Sequence, residues 1–207
     1  MKTGRASVSE RVARYEALCA RMARAGYTAH EAVFTDAQAN ALGLLCAAPF
    51  VAPLWTYYRM RFYGSTVVQA PAGEPNLWAL LFVALLLLSL PLHELMHGAF
   101  WRLAGRKGRG SIRFSFSGGM LLCSCGEPLS GGAYLLGVLG PFLTLGLGSL
   151  AVSLVWPGLL QMLLASVLLA CCGADLLIAL RALPYRRAVI ADHPIRAGFI
   201  AFTWAEG

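Results

Sequence analysis

Charged side chains are scarce in this sequence, and their scarcity excludes several classes of protein. Only 13% of its 207 residues are charged, whereas 58% are hydrophobic and the mean hydropathy is +0.64. An ordinary soluble domain is about half apolar and about one quarter charged. Disordered chains, collagen-like repeats and nucleic-acid-binding tails are therefore excluded, because so few charges do not keep so apolar a chain dissolved.

Three further features are missing: a signal peptide, a disulfide framework and a single basic patch. Residues 1–38 are polar and rich in Arg, so we expect no cleavable signal peptide there. Six cysteines are present, but Cys46, Cys171 and Cys172 lie within apolar runs, which does not suit a small disulfide-bonded domain. The net charge is +7, yet the basic residues fall between apolar blocks, so we expect no nucleic-acid partner.

The chain does contain four long apolar blocks. Each block meets or nearly meets the ~20 residues that a helix needs to cross the hydrocarbon of a bilayer. A capping box at Thr35 and Gln38 precedes the first block. The sequence therefore predicts an all-α membrane protein with about four transmembrane helices in contact with lipid. The blocks are residues 41–58, 77–103, 132–155 and 158–180.

The distribution of Lys and Arg predicts how these helices are oriented. Loops rich in Lys and Arg stay on the cytoplasmic side of a membrane. If the N-terminus lies inside, 15 of the 17 Lys and Arg residues lie inside and 2 lie outside. We therefore expect a multi-pass protein of the cell inner membrane with both termini in the cytoplasm. Cys123 and Cys125 would then face the cytoplasm and stay reduced.

The N-terminal segment has the pattern of an amphipathic helix. Residues 7–10 have the form of a capping box, and four apolar residues that follow share one helical face. We expect this face to lie against the inner leaflet or, alternatively, to pack on a cytosolic loop. The four residues are Val12, Tyr15, Cys19 and Met22.

A short region between the second and third blocks predicts a β-hairpin. Residues 111–116 alternate polar and apolar side chains, as a half-buried strand does. Residues 117–119 offer a turn and residues 120–125 a return strand. We expect this small hairpin on the cytosolic side of the membrane.

The second block ends in an HExxH motif, which predicts a metal site. Residues i and i+4 share one face of a helix, so His93 and His97 can hold one metal ion together, with Glu94 placed beside it to act on a water molecule. These are the only two histidines within the four blocks. Polar groups within a membrane are energetically costly, so two histidines there indicate a functional site. Because HExxH is typical of zinc sites, we expect the metal to be zinc.

Two histidines do not complete a catalytic zinc site, which usually has three protein ligands. The only other acidic residue within a block is Asp175. His93 lies 16 residues past Leu77 and Asp175 lies 17 residues past Gly158. At about 1.5 Å per residue both side chains lie about 25 Å along helices that run in the same direction. Gly173 would let these two helices approach closely, and Asp175 is predicted as the third ligand.

Other candidate ligands remain open. Glu127 is the alternative third ligand if the hairpin folds back over the site. Asp192 and His193 are expected in a surface turn closed by Pro194. Four cysteines could chelate a soft metal, although they are explained more simply as strand residues or small packing residues. They are Cys123, Cys125, Cys171 and Cys172.

Short motifs spread along the chain resemble those of a known family. They are HELMHG at 93–98, CGEP at 125–128, Pro141 in the next block, GAD at 173–175 and DHP at 192–194. Together they resemble the bacterial putative zincin peptidases, a family that is itself similar to the site-2 proteases that cleave within membranes. The resemblance covers about residues 35–200, which we expect to form a membrane-embedded zincin-like peptidase domain. A cytosolic segment of residues 1–34 precedes it and a tail of residues 201–207 follows it.

The resemblance implies a role for each residue of the site. It implies His93, His97 and Asp175 as zinc ligands and Glu94 as the catalytic acid and base. The expected function is that of an integral membrane zinc metalloprotease that hydrolyses peptide bonds of a peptide or membrane-protein substrate in or near the membrane. The alternative is a non-proteolytic membrane protein that binds or transports a metal ion with the same residues. The oligomeric state is not indicated.

Overall fold

The computed structural model describes residues 8–65, 75–104, 112–117 and 120–204. These residues form seven α-helices and six short β-strands. Helices α4 and α5 are joined by a π-helical turn (Phe142–Gly146), and α7 ends in a 3₁₀ turn (Leu183–Tyr185). In chain order the elements are α1 (Val8–Arg24), β1 (Tyr27–Phe34), α2 (Asp36–Phe62), α3 (Pro75–Ala104), β2 (Ile112–Ser117), β3 (Met120–Cys125), β4 (Leu129–Ser130), α4 (Gly131–Pro141), α5 (Leu147–Val155), α6 (Leu159–Cys171), α7 (Gly173–Ala182), β5 (Val189–Asp192) and β6 (Ala197–Trp204).

Four helical segments are long and apolar enough to cross a membrane, which confirms the four predicted blocks as helices. The third segment consists of α4, the π-helical turn and α5, and the fourth consists of α6, α7 and the 3₁₀ turn. The first segment begins at the predicted capping box: the Thr35 N–H donates to Gln38 Oε1 at 3.0 Å and the Gln38 N–H donates to Thr35 Oγ1 at 3.2 Å. The four segments are Asp36–Phe62, Leu77–Ala104, Gly131–Val155 and Leu159–Tyr185.

The fold is not all-α, because a four-stranded antiparallel sheet joins the two ends of the described chain. Its strand order is β1-β6-β5-β4. Strand β1 lies at the end of the segment 1–34, for which the sequence predicts a helix but no strand, and it pairs with β6 along its whole length, from Tyr27 opposite Trp204 to Phe34 opposite Ala197. Because β6 extends to Trp204, the expected boundary at residue 200 falls inside a strand.

The apolar residues of β6 explain why this sheet forms. Successive side chains of a strand point to opposite faces, and both faces of β6 are covered. Phe199 and Ala201 belong to a core with Trp101 and Tyr134 of the helices, whereas Phe202, on the other face, packs with α1. A strand buried on both faces is apolar throughout and shows no alternation of polar and apolar residues, so its sequence alone does not identify it as a strand.

Helix α1 covers the sheet. Tyr15, Leu18, Cys19 and Met22 pack against a buried cluster of β5 and β6. The expectation that this apolar face lies against the inner leaflet is therefore wrong, because the sheet supplies an apolar surface for it. Residue 7 of the predicted capping box lies outside the described residues.

The predicted hairpin is confirmed as the antiparallel pair β2 and β3, with Ile112 opposite Cys125. Residue 111 and the turn residues 118–119 lie outside the described residues. The hairpin packs directly on α3 at Gly98. A Cβ atom on this glycine would lie 2.8 Å from Phe114 Cζ and 3.3 Å from Cys123 Sγ, so a larger residue here would require these side chains to shift.

Gly173 makes the close helix approach expected of it, but with a different partner. It packs on Gly43 of α2, and a Cβ atom on Gly43 would lie 2.7 Å from the backbone nitrogen of Ala174. The sequence had assigned this close approach to α3. Two glycines facing one another let the backbones of α2 and α7 come into contact, which holds the beginning of α7 in place.

Candidate metal centre

His93 and His97 meet Asp175 across the helix bundle. The two histidines lie one turn apart on α3, and Asp175 lies in the first turn of α7. His93 Nε2 is 3.1 Å from Asp175 Oδ2, and His97 Nε2 is 3.4 Å from Asp175 Oδ1. The three side chains named as ligands from the sequence are thus brought together, and all three are largely buried.

A backbone hydrogen bond sets the orientation of the His97 ring. His97 Nδ1 lies 2.9 Å from the carbonyl oxygen of Gly137 on α4, and because a carbonyl only accepts, Nδ1 carries the proton. Nε2 is then left with its lone pair directed towards Asp175, which is the tautomer that a metal ligand needs. The Trp101 ring stacks on His97 at 5.4 Å and fills the space where a Gly137 side chain would lie.

The donor set fits a zinc ion. Ligand atoms at the corners of a tetrahedron with bonds of about 2.0–2.1 Å are about 3.3 Å apart. The two Nε2-to-carboxylate distances, 3.1 and 3.4 Å, are close to this value. Asp175 Oδ2 is also buried, and although it lies 3.1 Å from His93 Nε2, it accepts no hydrogen bond of good geometry in the described part of the chain. A buried carboxylate oxygen normally has a partner, and a metal ion would supply one.

Glu94 lies beside these ligands but is held by a different element. One ligand atom from each of His93, Glu94 and His97 lies within 4.8 Å of the other two. Glu94 Oε2 accepts a hydrogen bond of 2.6 Å from the Cys123 N–H of β3. The hairpin therefore reaches the site through its backbone, and it holds Glu94 next to the histidines.

Cys172 is a neighbour of the site that the sequence analysis treated as a small packing residue. Its Sγ, a ligand atom of His93 and one of Asp175 lie within 4.8 Å of one another, and Cys172 is fully buried. The signal in the sequence was its position three residues before Asp175, since residues i and i+3 are neighbours on a helical surface. Cys171 is exposed.

Glu127 does not lie with the candidate metal ligands. It is buried in the loop between β3 and β4, with Oε1 lacking a hydrogen-bond partner in the described residues. Among those residues, one cluster of three potential metal ligands consists of His93, Glu94 and His97, and another consists of His93, Cys172 and Asp175. Neither cluster contains Glu127.

The two residues expected in a surface turn have different structural roles. His193 does stabilise a turn: its Nδ1 accepts from the Arg196 N–H at 2.9 Å, and its Nε2 lies 3.1 Å from Glu31 Oε1. Asp192 is half-buried instead, and its Oδ2 accepts from the Cys125 N–H at 2.8 Å, which ties β3 to β5. Burial raises the pKa of Asp192 to about 6.

An apolar cleft of about 900 Å³ leads to His93 and Glu94. It lies between α2, α3 and α6, and small residues such as Ala39, Gly43 and Ala170 keep it open. A cleft of this volume with a few polar groups at one place is typical of a site for a small molecule or a peptide segment.

Comparison with known proteins agrees with this site. Neither a curated protein nor a solved structure matches the chain. A family model described as "Putative zincin peptidase" matches residues 86–190, which include the two histidines, Glu94 and Asp175. The match covers about half of the chain and confirms the resemblance to this family, whereas the likeness to site-2 proteases stays a prediction. The chain belongs to the family of putative zincin peptidases.

Proposed function

We propose that this protein is an integral membrane zinc metallopeptidase that hydrolyses peptide bonds in or near the bilayer, in the manner of a site-2 protease. The observation that carries the proposal is the convergence of His93 Nε2 and His97 Nε2 on the Asp175 carboxylate. The membership of a zincin peptidase family supports the same chemistry.

A bilayer is the environment that suits the surface of the helices. Helices α2 and α3 expose large apolar side chains that water would solvate poorly, and lipid would cover them. The excess of Lys and Arg in the N-terminal segment, the hairpin region and the C-terminal region favours an inner membrane with these parts in the cytoplasm. Five of the side chains, each exposed by 60% or more, are Leu44, Leu45, Leu80, Leu87 and Leu88.

The residues of the site have two chemical roles, metal binding and proton transfer. His93, His97 and Asp175 would hold zinc, which when bound supplies a Lewis acid for the scissile carbonyl and an activated water. Glu94 takes a proton from the attacking water and returns it to the leaving nitrogen. Because Glu94 Oε2 accepts from the Cys123 N–H, its other oxygen is the one left for this transfer.

The substrate is a peptide segment in an extended conformation. A helix hides its carbonyl groups in its own hydrogen bonds, so a membrane-protein substrate must unwind locally before it is cleaved. Strand addition to the hairpin would hold the opened segment. The N–H groups of Cys123 and Cys125 on β3 already donate to Glu94 and Asp192, so the outer edge of β2, which pairs with no other described strand, is the better place for a substrate strand.

The experiment that tests this proposal uses Glu94→Gln, which keeps the shape of the side chain and removes its basicity. We expect the purified variant to retain zinc, measured by mass spectrometry of the metal, and to lose cleavage of membrane proteins that it traps by crosslinking. The exposed Glu16 on α1 provides a matched control, because Glu16→Gln should leave both properties unchanged.

The same experiment separates peptidase from metal transport. A transporter would move zinc across liposomes equally well with Glu or Gln at position 94, and neither form would cleave the trapped proteins. That outcome would replace the proposed function by the alternative one, in which His93, His97 and Asp175 carry an ion without hydrolysis.

A further inference from the structure

A second cavity, of about 600 Å³, lies between α1, the hairpin and the end of β5. It shares no lining residue with the apolar cleft at His93. Five of the residues that line it are arginines, and we call it the arginine cavity. The arginines are Arg11, Arg14, Arg21, Arg24 and Arg113.

The amphipathic pattern of α1 brings four of these arginines together. Positions 11, 14, 21 and 24 follow the helical repeat, so they form one stripe along α1 beside the stripe that packs on the sheet. Arg113 approaches from β2 of the hairpin. Five arginine residues thus line one cavity, and an anion bound there would complement their positive charge.

No ion pair within the described residues neutralises this charge. Within the described residues none of the five guanidinium groups forms an ion pair, and Arg24 Nε donates to the carbonyl of its own helix at Ala20. Arg11 Nε is buried and lacks a hydrogen-bond partner in this part of the chain. A buried guanidinium nitrogen normally has an acceptor, and a bound anion would supply one.

Two carboxylates also line the arginine cavity, and neither offsets the arginines. Asp192 is engaged by the Cys125 N–H at 2.8 Å. Glu127 lies in the cavity without an ion pair to any arginine, and its Oε1 has no hydrogen-bond partner in the described residues. The cavity therefore keeps an excess of positive charge, and Glu127 opposes any anion that binds.

We propose that the arginine cavity binds a phosphate group. Guanidinium groups bind phosphate oxygens through paired, charge-assisted hydrogen bonds, and several of them around one cavity match a tetrahedral anion better than a planar carboxylate. The volume exceeds that of a phosphate ion alone and accommodates a phosphate ester. The phosphate comes either from the headgroup of an anionic phospholipid or from a soluble phosphate ester, which share this chemistry.

The test measures binding to the full chain in detergent micelles free of phospholipid. Two probes are titrated by calorimetry: glycerol 3-phosphate and a short-chain phosphatidylglycerol. We expect at least one probe to bind the wild type, with the double variant Arg11→Gln/Arg21→Gln weakening it by about tenfold or more through the loss of two charge-assisted contacts. Binding of the lipid alone identifies a headgroup, and binding of both identifies the phosphate ester as sufficient.

A variant that is expected to bind the probe more tightly distinguishes loss of the binding site from simple unfolding. Glu127→Gln removes the opposing negative charge, so it should tighten binding of the same probe by about threefold or more. Arg59→Gln, on exposed α2 and outside the cavity, should leave binding unchanged. Absence of binding by both probes, equal binding by the double arginine variant, or weaker binding by Glu127→Gln would each overturn the proposal.

Discussion

Replacing Asp175 by Asn removes one negative charge from the centre of the candidate metal site and keeps the size of the side chain. Asp175 faces both histidines at 3.1 and 3.4 Å, so the substitution takes one of three donor groups from the ion. It also leaves the contact between Gly43 and Gly173 intact, so α7 keeps its place. We therefore expect the effect on the metal to be large and the effect on the fold to be small.

The size of the effect follows from the affinity of metal sites. Loss of a residue that merely supports a ligand costs about 10–100-fold in metal affinity, so loss of a ligand carboxylate should cost at least about 100-fold. At a free zinc concentration of about 1,000 times the wild-type Kd, zinc stabilises the wild type by about 4.1 kcal/mol. At the same concentration a 100-fold weaker variant gains only about 1.4 kcal/mol.

The assay is thermal unfolding in detergent with and without zinc, together with competition for zinc against a chromophoric chelator. Glu127→Gln is the matched control and should retain the full gain in stability from zinc. Cys172→Ser tests the other donor that lies near His93. If Asp175→Asn kept the wild-type gain while Cys172→Ser or Glu127→Gln lost it, the assignment of the third ligand would be reversed.

Three further predictions test the surroundings of the site. Gly98→Ala should make the Phe114 ring shift against α3, lower the free energy of unfolding by about 1 kcal/mol and reduce peptidase activity, whereas Gly148→Ala, whose Cβ atom would meet nothing within 4 Å, should do neither. Burial raises the pKa of Asp192 to about 6, above its value in the unfolded chain, so protonation of Asp192 stabilises the folded state by up to about 3 kcal/mol below pH 4, and this stabilisation is lost as the pH rises through 6. In denaturant unfolding, the variant Asp192→Asn should lack this pH dependence of stability. An equal pH dependence in the variant would contradict the prediction. A reporter fused after Gly207 should be active on the cytoplasmic side, and activity on the outer side alone would overturn the orientation.

Local periodicity accounts for what the sequence predicted correctly. The long apolar blocks become helices because their length and composition leave few alternatives, and the first begins at the Thr35 capping box because that motif needs only neighbouring residues. The juxtaposition of His93 and His97 is local in the same sense, since a helix alone places residues i and i+4 together. That Asp175 lies level with His93 also followed from counting residues along the two apolar segments.

Contacts between distant residues account for what the sequence did not show. Strands β1 and β6 pair across about 170 residues, and the continuous apolar run of β6 gives no alternation by which a strand could be distinguished. The sheet then covers the apolar face of α1, for which the local pattern indicates no partner. No local pattern indicated that Gly173 would pack on Gly43 and not on α3, because the partner of a helix is chosen by the packing of the whole bundle.

The candidate metal site combines both kinds of information. The sequence by itself determined the residue types and the helical spacing of the histidines, together with the level at which Asp175 lies. Only the tertiary structure decided that α7 turns Asp175 towards them, that Gly137 orients the ring of His97, and that Cys123 holds Glu94. The rotation of one helix about its axis relative to another depends on side-chain packing around the whole helix, and residue spacing within a single helix does not determine it.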